Sequence, residues 1–244
     1  MTHQQSIIDP YFRVDVLNAT ANPNQVGYAA LHQDYSEDYV YLEDFPDEKR
    51  CGEIIEKRLL KHGHFGPLEN MTIVFNVGYF PHSVMQQLRT HRVGISMDVQ
   101  SFRFSGQRIV DVVNGSRELE SVFYLRPEGF YTDRFGKKYQ YTESQRQEDL
   151  EHCLNAAKLY SKRMSESVSE EHARSIIPFD VRQHFVLSLN CRSLMHILDM
   201  RHKPDAQLEI QTLMSFLFLK FQQWMPEVAE WYEKTRLSKG RLAP

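Results

Sequence analysis

The chain has 244 residues, 41% hydrophobic and 25% charged, enough to build a sizeable core without disulfides or a structural metal, as one large domain or two small ones. A formal net charge of −3 excludes a global basic field that would recruit DNA or RNA, so any anion site must be local. The cysteines (Cys51, Cys153, Cys191) are odd in number, far apart and without a Cys-x-x-Cys pair, which fits a reduced, cytoplasmic setting.

The N-terminus has no basic region followed by an apolar run, so no signal peptide is expected. Residues 1–46 mix short apolar pieces with turn signals at Asn18, Asn22-Pro23-Asn24, Asp44 and Pro46; Val14 to Val16 reads as a strand. Helical spacing at Ile54, Ile55, Arg58 and Leu59 predicts a helix over Asp47 to His62, with Gly63 as its cap. Met71 to Tyr79 alternates, with Ile73, Phe75 and Val77 on one face and Thr72, Val74 and Asn76 on the other, which predicts a well-buried strand. Pro81 opens a helix, since its missing N–H costs nothing in a first turn. Val84, Leu88 and His91 share one stripe of that helix, with Gln87 beside them, and Gly94 is expected to end it.

Residues 105–142 read as an insertion with hairpin chemistry and a turn at Gly136. Glu143 to Val168 is a long helix with an apolar stripe at Leu150, Cys153, Leu154, Ala157 and Tyr160. Ser169-Glu-Glu-His starts a short helix that Pro178 stops, and Phe185 to Leu189 is β-like. Cys191 to Met200 is helical, Lys203-Pro204-Asp205 breaks it, and Ala206 to Trp224 is a further helix burying Leu208, Leu213, Leu217 and Phe221. The most apolar run, Leu213 to Phe221, is too short to span a bilayer, so no membrane partner is expected. The sum is an α+β fold, mixed strands packed with long helices.

The densest chemistry lies between Gln87 and Arg103. Arg89, Arg92, Arg103, His91, Ser96, Ser101, Gln87 and Gln100 crowd into that stretch, and such a donor set suits a bound polyanion. The plain alternative is dipole-complementing charge at a helix end, worth only ~0.3–1 kcal/mol. Ser96, Asp98, Ser101 and Arg103 follow on what reads as an extended segment. A second cluster runs from Asn190 to Arg201. On a helix Arg192 and His196 share a face, whereas Arg201 is half a turn out of phase with Arg192 and addresses another part of a site. Leu194, Ile197 and Leu198 pack inward. Cys191 reads as a small buried residue, because a neighbour on a helix does not face it and cannot activate it. His62-Gly-His64 lacks the companions of a metal site, so no metal is expected. Two readings of these residues are a non-catalytic nucleotide- or RNA-binding module using the same arginines and a metal-dependent phosphohydrolase using His62 and His64.

These clusters, in this order, resemble the flavin-dependent thymidylate synthase family. The matching pieces are His62-Gly-His64 with Pro67-Leu-Glu69, Thr90-His-Arg with Ser96-Met-Asp-Val-Gln-Ser-Phe-Arg-Phe104, Ala173-Arg-Ser-Ile-Ile-Pro178, and Asn190-Cys-Arg-Ser-Leu-Met through Arg201 to Glu209-Ile-Gln211. The family signature is Arg-His-Arg, two residues, then Ser-x-Asn-x-x-Ser-x-Arg-Tyr. Here Thr90 replaces its first Arg, one residue is inserted before Ser96, Asp98 stands for Asn, and Phe104 stands for Tyr. His196 takes a position where Asn is familiar. The other thymidylate synthase class uses a cysteine in Pro-Cys-His, a tripeptide missing from this sequence.

The resemblance implies a single domain over residues 1–244 and a homotetramer with sites shared between subunits. It implies conversion of dUMP to dTMP, with methylenetetrahydrofolate as carbon donor and NADPH as reductant through FAD, and no nucleic-acid polymer as partner. By the same resemblance His64, Gly66, Thr90, His91, Arg92, Asn190, Cys191, Arg192 and His196 would hold FAD. Gln87, Leu88, Arg89, Thr90, Val99, Gln100, Ser101, Phe102, Arg103, Arg174 and Arg201 would hold dUMP. Arg201 would be the catalytic residue, favouring the ionised uracil ring.

Overall fold

The computed structural model describes residues 9–239; the segment bearing on a signal peptide lies largely outside them. Strand β1 (Arg13–Ala19) is the one expected around Val14. Helix α1 (Pro23–Tyr35) then forms where the sequence shows only turn signals. Those signals mark its start: Asn22 takes a left-handed φ of 47°, and Pro23 sits in the first turn. The apolar residues of α1 fall on no single stripe, so periodicity does not reveal it.

Helix α2 (Glu48–Arg58) is capped by Asp47, whose carboxylate accepts from the Arg50 N–H at 2.8 Å. A 3-10 turn, Leu60–His62, ends at Gly63 with φ 71°. A second, Gly66–Asn70, leads into β2 (Thr72–Pro81), where Ile73, Phe75 and Val77 are fully buried. Helix α3 (His82–Leu88) follows, with Pro81 as its N-cap. It stops at Leu88, so the expectation of a helix running to Gly94 is corrected. His91 and Arg92 lie in an irregular turn and not in a last helical turn. Gly94 serves that turn: its φ is 65°, and a Cβ there would sit 2.2 Å from Ser193 Oγ.

After β3 (Ile95–Val99) come two short helices, α4 (Phe102–Ser105) and α5 (Gln107–Val113). Ser96 and Asp98 lie on β3 and Ser101 still has an extended backbone, as the sequence suggests, whereas Arg103 is already inside α4. Ser101 caps α4, its hydroxyl accepting from the Arg103 N–H at 3.3 Å. Strands β4 (Gly129–Thr132) and β5 (Lys138–Tyr141) pair antiparallel, with Gly129 opposite Tyr141 and Gly136 in the turn at φ 84°. Helix α6 (Glu143–Ser165) starts with a capping box between Thr142 and Gln145. Then come α7 (Glu170–Ala173), β6 (Arg182–Asn190), α8 (Cys191–Arg201), α9 (Leu208–Trp224) and α10 (Pro226–Thr235). Helix α10 is unheralded in the sequence reading. The sheet order is β1-β2-β6-β3. Among the described residues no helix is long and apolar enough to cross a membrane.

The chain divides into two compact units. One holds residues up to Arg13, Val77–Arg89 and Asp98–Phe185. Its core gathers Ile109 and Val112 of α5, Phe123, and Cys153, Ala157 and Tyr160 of α6. Arg182 is 1% exposed there. Its Nε donates to the Glu120 carbonyl at 2.6 Å, Nη1 to the Tyr79 carbonyl at 2.8 Å and Nη2 to Asp9 Oδ2 at 2.7 Å. The rings of Tyr11, Phe12 and Tyr124 surround its guanidinium, within 5.7 Å of it. The other unit holds Val14–Asn76, Thr90–Met97 and the chain from Val186 on. In it α1 packs on α2, α2 on α10, and α9 on both α8 and α10. Asp199 of α8 accepts from Tyr232 Oη at 3.0 Å and Arg236 Nη2 at 2.6 Å.

Asp9→Ala should destabilise the fold by about 3–5 kcal/mol, because it leaves the buried Arg182 charge without a counter-ion. Urea melts at neutral pH measure this; a loss below about 1 kcal/mol would mean the ion pair does not organise this unit.

Candidate active site

The expected site residues fall into two sets, one in each unit, described in turn. The first is built on the short helices after β3. The Gln100 N–H donates to the His184 carbonyl at 2.9 Å, which fixes the entry to α4. Helix α4 packs on α7, and Arg174 directly follows α7. Arg103 Nε lies 2.8 Å from Glu171 Oε1, with both side chains more than half exposed. Ser101, Arg103 and Arg174 are thus carried by two touching helices. Gln87 and Arg89 close α3, and the Gln87 amide donates to the Ser83 carbonyl at 3.3 Å. Leu88 is buried and Val99 half-buried.

Two residues of this unit gave no signal in the sequence. Glu171 shares a helix turn with nothing that marks it as the partner of Arg103. Arg108 is buried, with its guanidinium 4.8 Å from the Phe102 ring centre and Nη2 donating to the Arg182 carbonyl at 2.6 Å. Burial first, then Arg117, pull its pKa down to about 10. Its guanidinium packs against the ring of Phe102, a residue expected from the sequence to contact the substrate.

The second set is organised by a junction. Asn190 caps α8, its side-chain oxygen accepting from the Ser193 N–H at 2.8 Å, and Ser193 Oγ donates to the Val93 carbonyl at 2.7 Å. The turn that holds His91 and Arg92 is thereby tied to the start of α8. At the far end of α8, Arg201 Nε donates to His91 Nε2 at 3.0 Å and Arg201 Nη2 to Thr90 Oγ1 at 3.1 Å. A guanidinium only donates, so His91 Nε2 must carry a lone pair and Nδ1 the proton. That proton faces His196 Nε2 at 3.2 Å, which accepts it. Arg201, His91 and His196 form a directional chain of donors. Burial, followed by Arg201 and His196, pushes the pKa of His91 down to about 4. His196 is lowered too, mainly by burial, and burial lowers Arg201.

Arg192 points elsewhere, donating to Glu69 Oε1 at 2.6 Å in a half-exposed pair. The half-turn offset between Arg192 and Arg201 is thus realised. Arg192 and His196, although on one helical face, take different partners. Cys191 is fully buried and its thiol pKa is raised by burial, so it offers no thiolate. His64 sits beside Tyr35, with Nδ1 3.5 Å from Tyr35 Oη, and Gly66 follows in the next 3-10 turn. Among the described residues no group of three or more His, Cys, Asp or Glu is placed to hold a metal ion.

The relay requires a neutral His91, and this sets a pH dependence. Its folded pKa lies below the ordinary 6.5, so the unfolded chain binds the proton first. The stability it contributes is complete above about pH 6.5 and declines as pH falls toward 4. His91→Gln should flatten the fall in urea-melt stability between these pH values; an unchanged slope would show that His91 does not titrate as the relay demands.

The family model described as thymidylate synthase complementing protein matches residues 15–227. The chain is 32% identical over 250 positions to the flavin-dependent thymidylate synthase of Haloarcula marismortui, covering 95% of this chain and 99% of that protein. Against the enzyme of the same name from Halobacterium salinarum the identity is 31%, with 95% and 100% covered. Its fold is similar to that of PolB, a UMP/dUMP methylase from Streptomyces cacaoi solved with 5-Br dUMP, at a TM-score of 0.71 and 23% identity over 96% of this chain and 97% of that one. Both arginine sets lie inside the matched span, and the relatives align nearly end to end, so this chain belongs to the flavin-dependent thymidylate synthase family.

Proposed function

We propose that this chain converts dUMP to dTMP, using methylenetetrahydrofolate as carbon donor, NADPH as reductant and FAD as the redox cofactor. The observation that carries this is Arg201, a partly buried guanidinium aimed by a neutral histidine relay. It suits negative charge developing on a pyrimidine carbonyl and N3, and the relay keeps it from wandering. Bound FAD supplies the hydride chemistry, so the protein needs no nucleophile of its own.

The donors present fit a flavin diphosphate. Arg92 is exposed, Arg192 is held only by a surface pair, and a Cβ at Gly66 would meet nothing nearer than His64 Nε2 at 3.8 Å. The backbone there is open to close approach. His64, Thr90, His91, Asn190 and His196 would complete that set; Cys191 would contribute shape only.

For the nucleotide, Ser101, Arg103 and Arg174 would take the phosphate, with Gln87, Arg89, Gln100 and Phe102 around the base and sugar. The phosphate must displace Glu171 from Arg103. That exposed pair is worth ~0–1 kcal/mol, against ~1.5–3 kcal/mol for a charge-assisted bond, so the phosphate prevails. We further propose a homotetramer with shared sites and a cytoplasmic setting, which suits three buried free cysteines.

The test is dUMP-dependent NADPH oxidation with tritium release from C5-labelled dUMP. A preparation that cannot take up added FAD would sink the reading. Arg103→Ala should weaken dUMP binding roughly ten- to over a hundredfold by calorimetry; unchanged affinity would remove Arg103 from the site. Arg201→Ala should abolish turnover with the flavin spectrum intact, and a colourless Arg201→Ala protein would reassign that residue to flavin binding.

A further inference from the structure

A cleft of about 700 Å³ opens between α1 and α2, within the unit that starts at Val14. Its lining contains no carboxylate but has three permanent cations, Arg50, Lys57 and Arg58. Tyr28 and Tyr35 supply aromatic walls, Leu31 and Ile54 line it with apolar surface, and His64 stands at its edge. The volume is that of an ordinary small-molecule site.

The cations are not all spoken for. Arg50 pairs with Glu53 at 2.7 Å, one turn along its own helix. Among the described residues, no hydrogen bond or ion pair engages Lys57 or Arg58. The nearest acid to His64 is Asp34, at 3.9 Å from Nε2. Cations in a last helical turn complement the dipole, worth only ~0.3–1 kcal/mol, but this explains neither the cleft nor the tyrosines. Tyr35 is 75% exposed, a large ring left to water beside unpaired positive charge. Arg50, Ile54, Lys57 and Arg58 recur at helical spacing, so the charge is spread along about 10 Å of α2. A row of cations over that length matches a chain of several carboxylates better than one phosphate.

We propose that this cleft binds the anionic tail of the one-carbon co-substrate: a flat aromatic portion against Tyr28 and Tyr35, and its glutamate carboxylates at Lys57 and Arg58. The inference rests on the proposed function, which supplies a reason for a folate to end beside His64. It names a subsite outside both arginine sets described above.

The test uses the FAD-loaded full chain and the Lys57→Gln/Arg58→Gln double variant, both exposed positions whose loss leaves the core intact. Binding of tetrahydrofolate with one and with five glutamates is measured by equilibrium dialysis without turnover. The unsubstituted chain should favour the five-glutamate form by about three- to thirtyfold, and the variant should lose that preference while binding dUMP normally. Equal affinity for both tails in the unsubstituted chain, or a preference that survives in the variant, would overturn the proposal. So would a variant that loses NADPH but not NADH affinity, since the cleft would then hold the dinucleotide 2′-phosphate. Because binding is read without turnover, an inactive chain that still distinguishes the tails would sink the thymidylate synthase reading alone.

Discussion

A guanidinium sealed from water must place its donors on acceptors brought to it, and Arg182 imposes that demand on its unit. Its side chain takes the carbonyls of Glu120 and Tyr79 and the carboxylate of Asp9. Its own N–H donates to the Val122 carbonyl at 2.7 Å, and its carbonyl accepts from Arg108. The polar groups of this one residue join four stretches of chain, at Asp9, Tyr79, Glu120 to Val122, and Arg108. Tyr79 is held in a left-handed conformation, φ 67°, which costs about 1–3 kcal/mol for a residue with a side chain. The hydrogen bond to its carbonyl helps to offset that strain. Just after it the strand ends at Pro81 and α3 begins, which sets where Gln87 and Arg89 emerge.

The second unit solves a different electrostatic problem. There a partly buried arginine, Arg201, donates to two neutral groups, His91 and Thr90. A neutral imidazole orients the guanidinium and leaves its charge in place. The same burial that would be costly for two adjacent cations is what keeps His91 uncharged. Orientation passes back to the α8 N-cap, because Asn190 and Ser193 grip the turn that carries His91.

Charge of the opposite sign is kept near the exposed arginines but weakly bound. Glu171 on Arg103 and Glu69 on Arg192 are surface pairs, each worth only ~0–1 kcal/mol. Such pairs limit repulsion between cations while leaving the guanidinium forks available.

Short-range physics was legible in the sequence. The alternation from Met71 to Tyr79 marked a buried strand, the stripe of α6 a long helix, and the order of the arginine clusters a family. Helix α1 was not legible, because it carries no periodic stripe to outweigh its turn residues, whereas α10 carries one at Val228, Ala229 and Tyr232 that the sequence does display. The end of α3 was misread, since Gly94 looks like a helix cap but is required by Ser193 and Asn190, about a hundred positions away. The relay from Arg201 through His91 to His196, the pairing of Arg103 with Glu171 and the seat of Arg108 under Phe102 were invisible for the same reason. Residue types and local spacing decide which donors and acceptors exist and which helices and strands carry them. Only the tertiary structure decides which of them meet, because hydrogen bonds and burial act over a few ångströms in space regardless of separation along the chain.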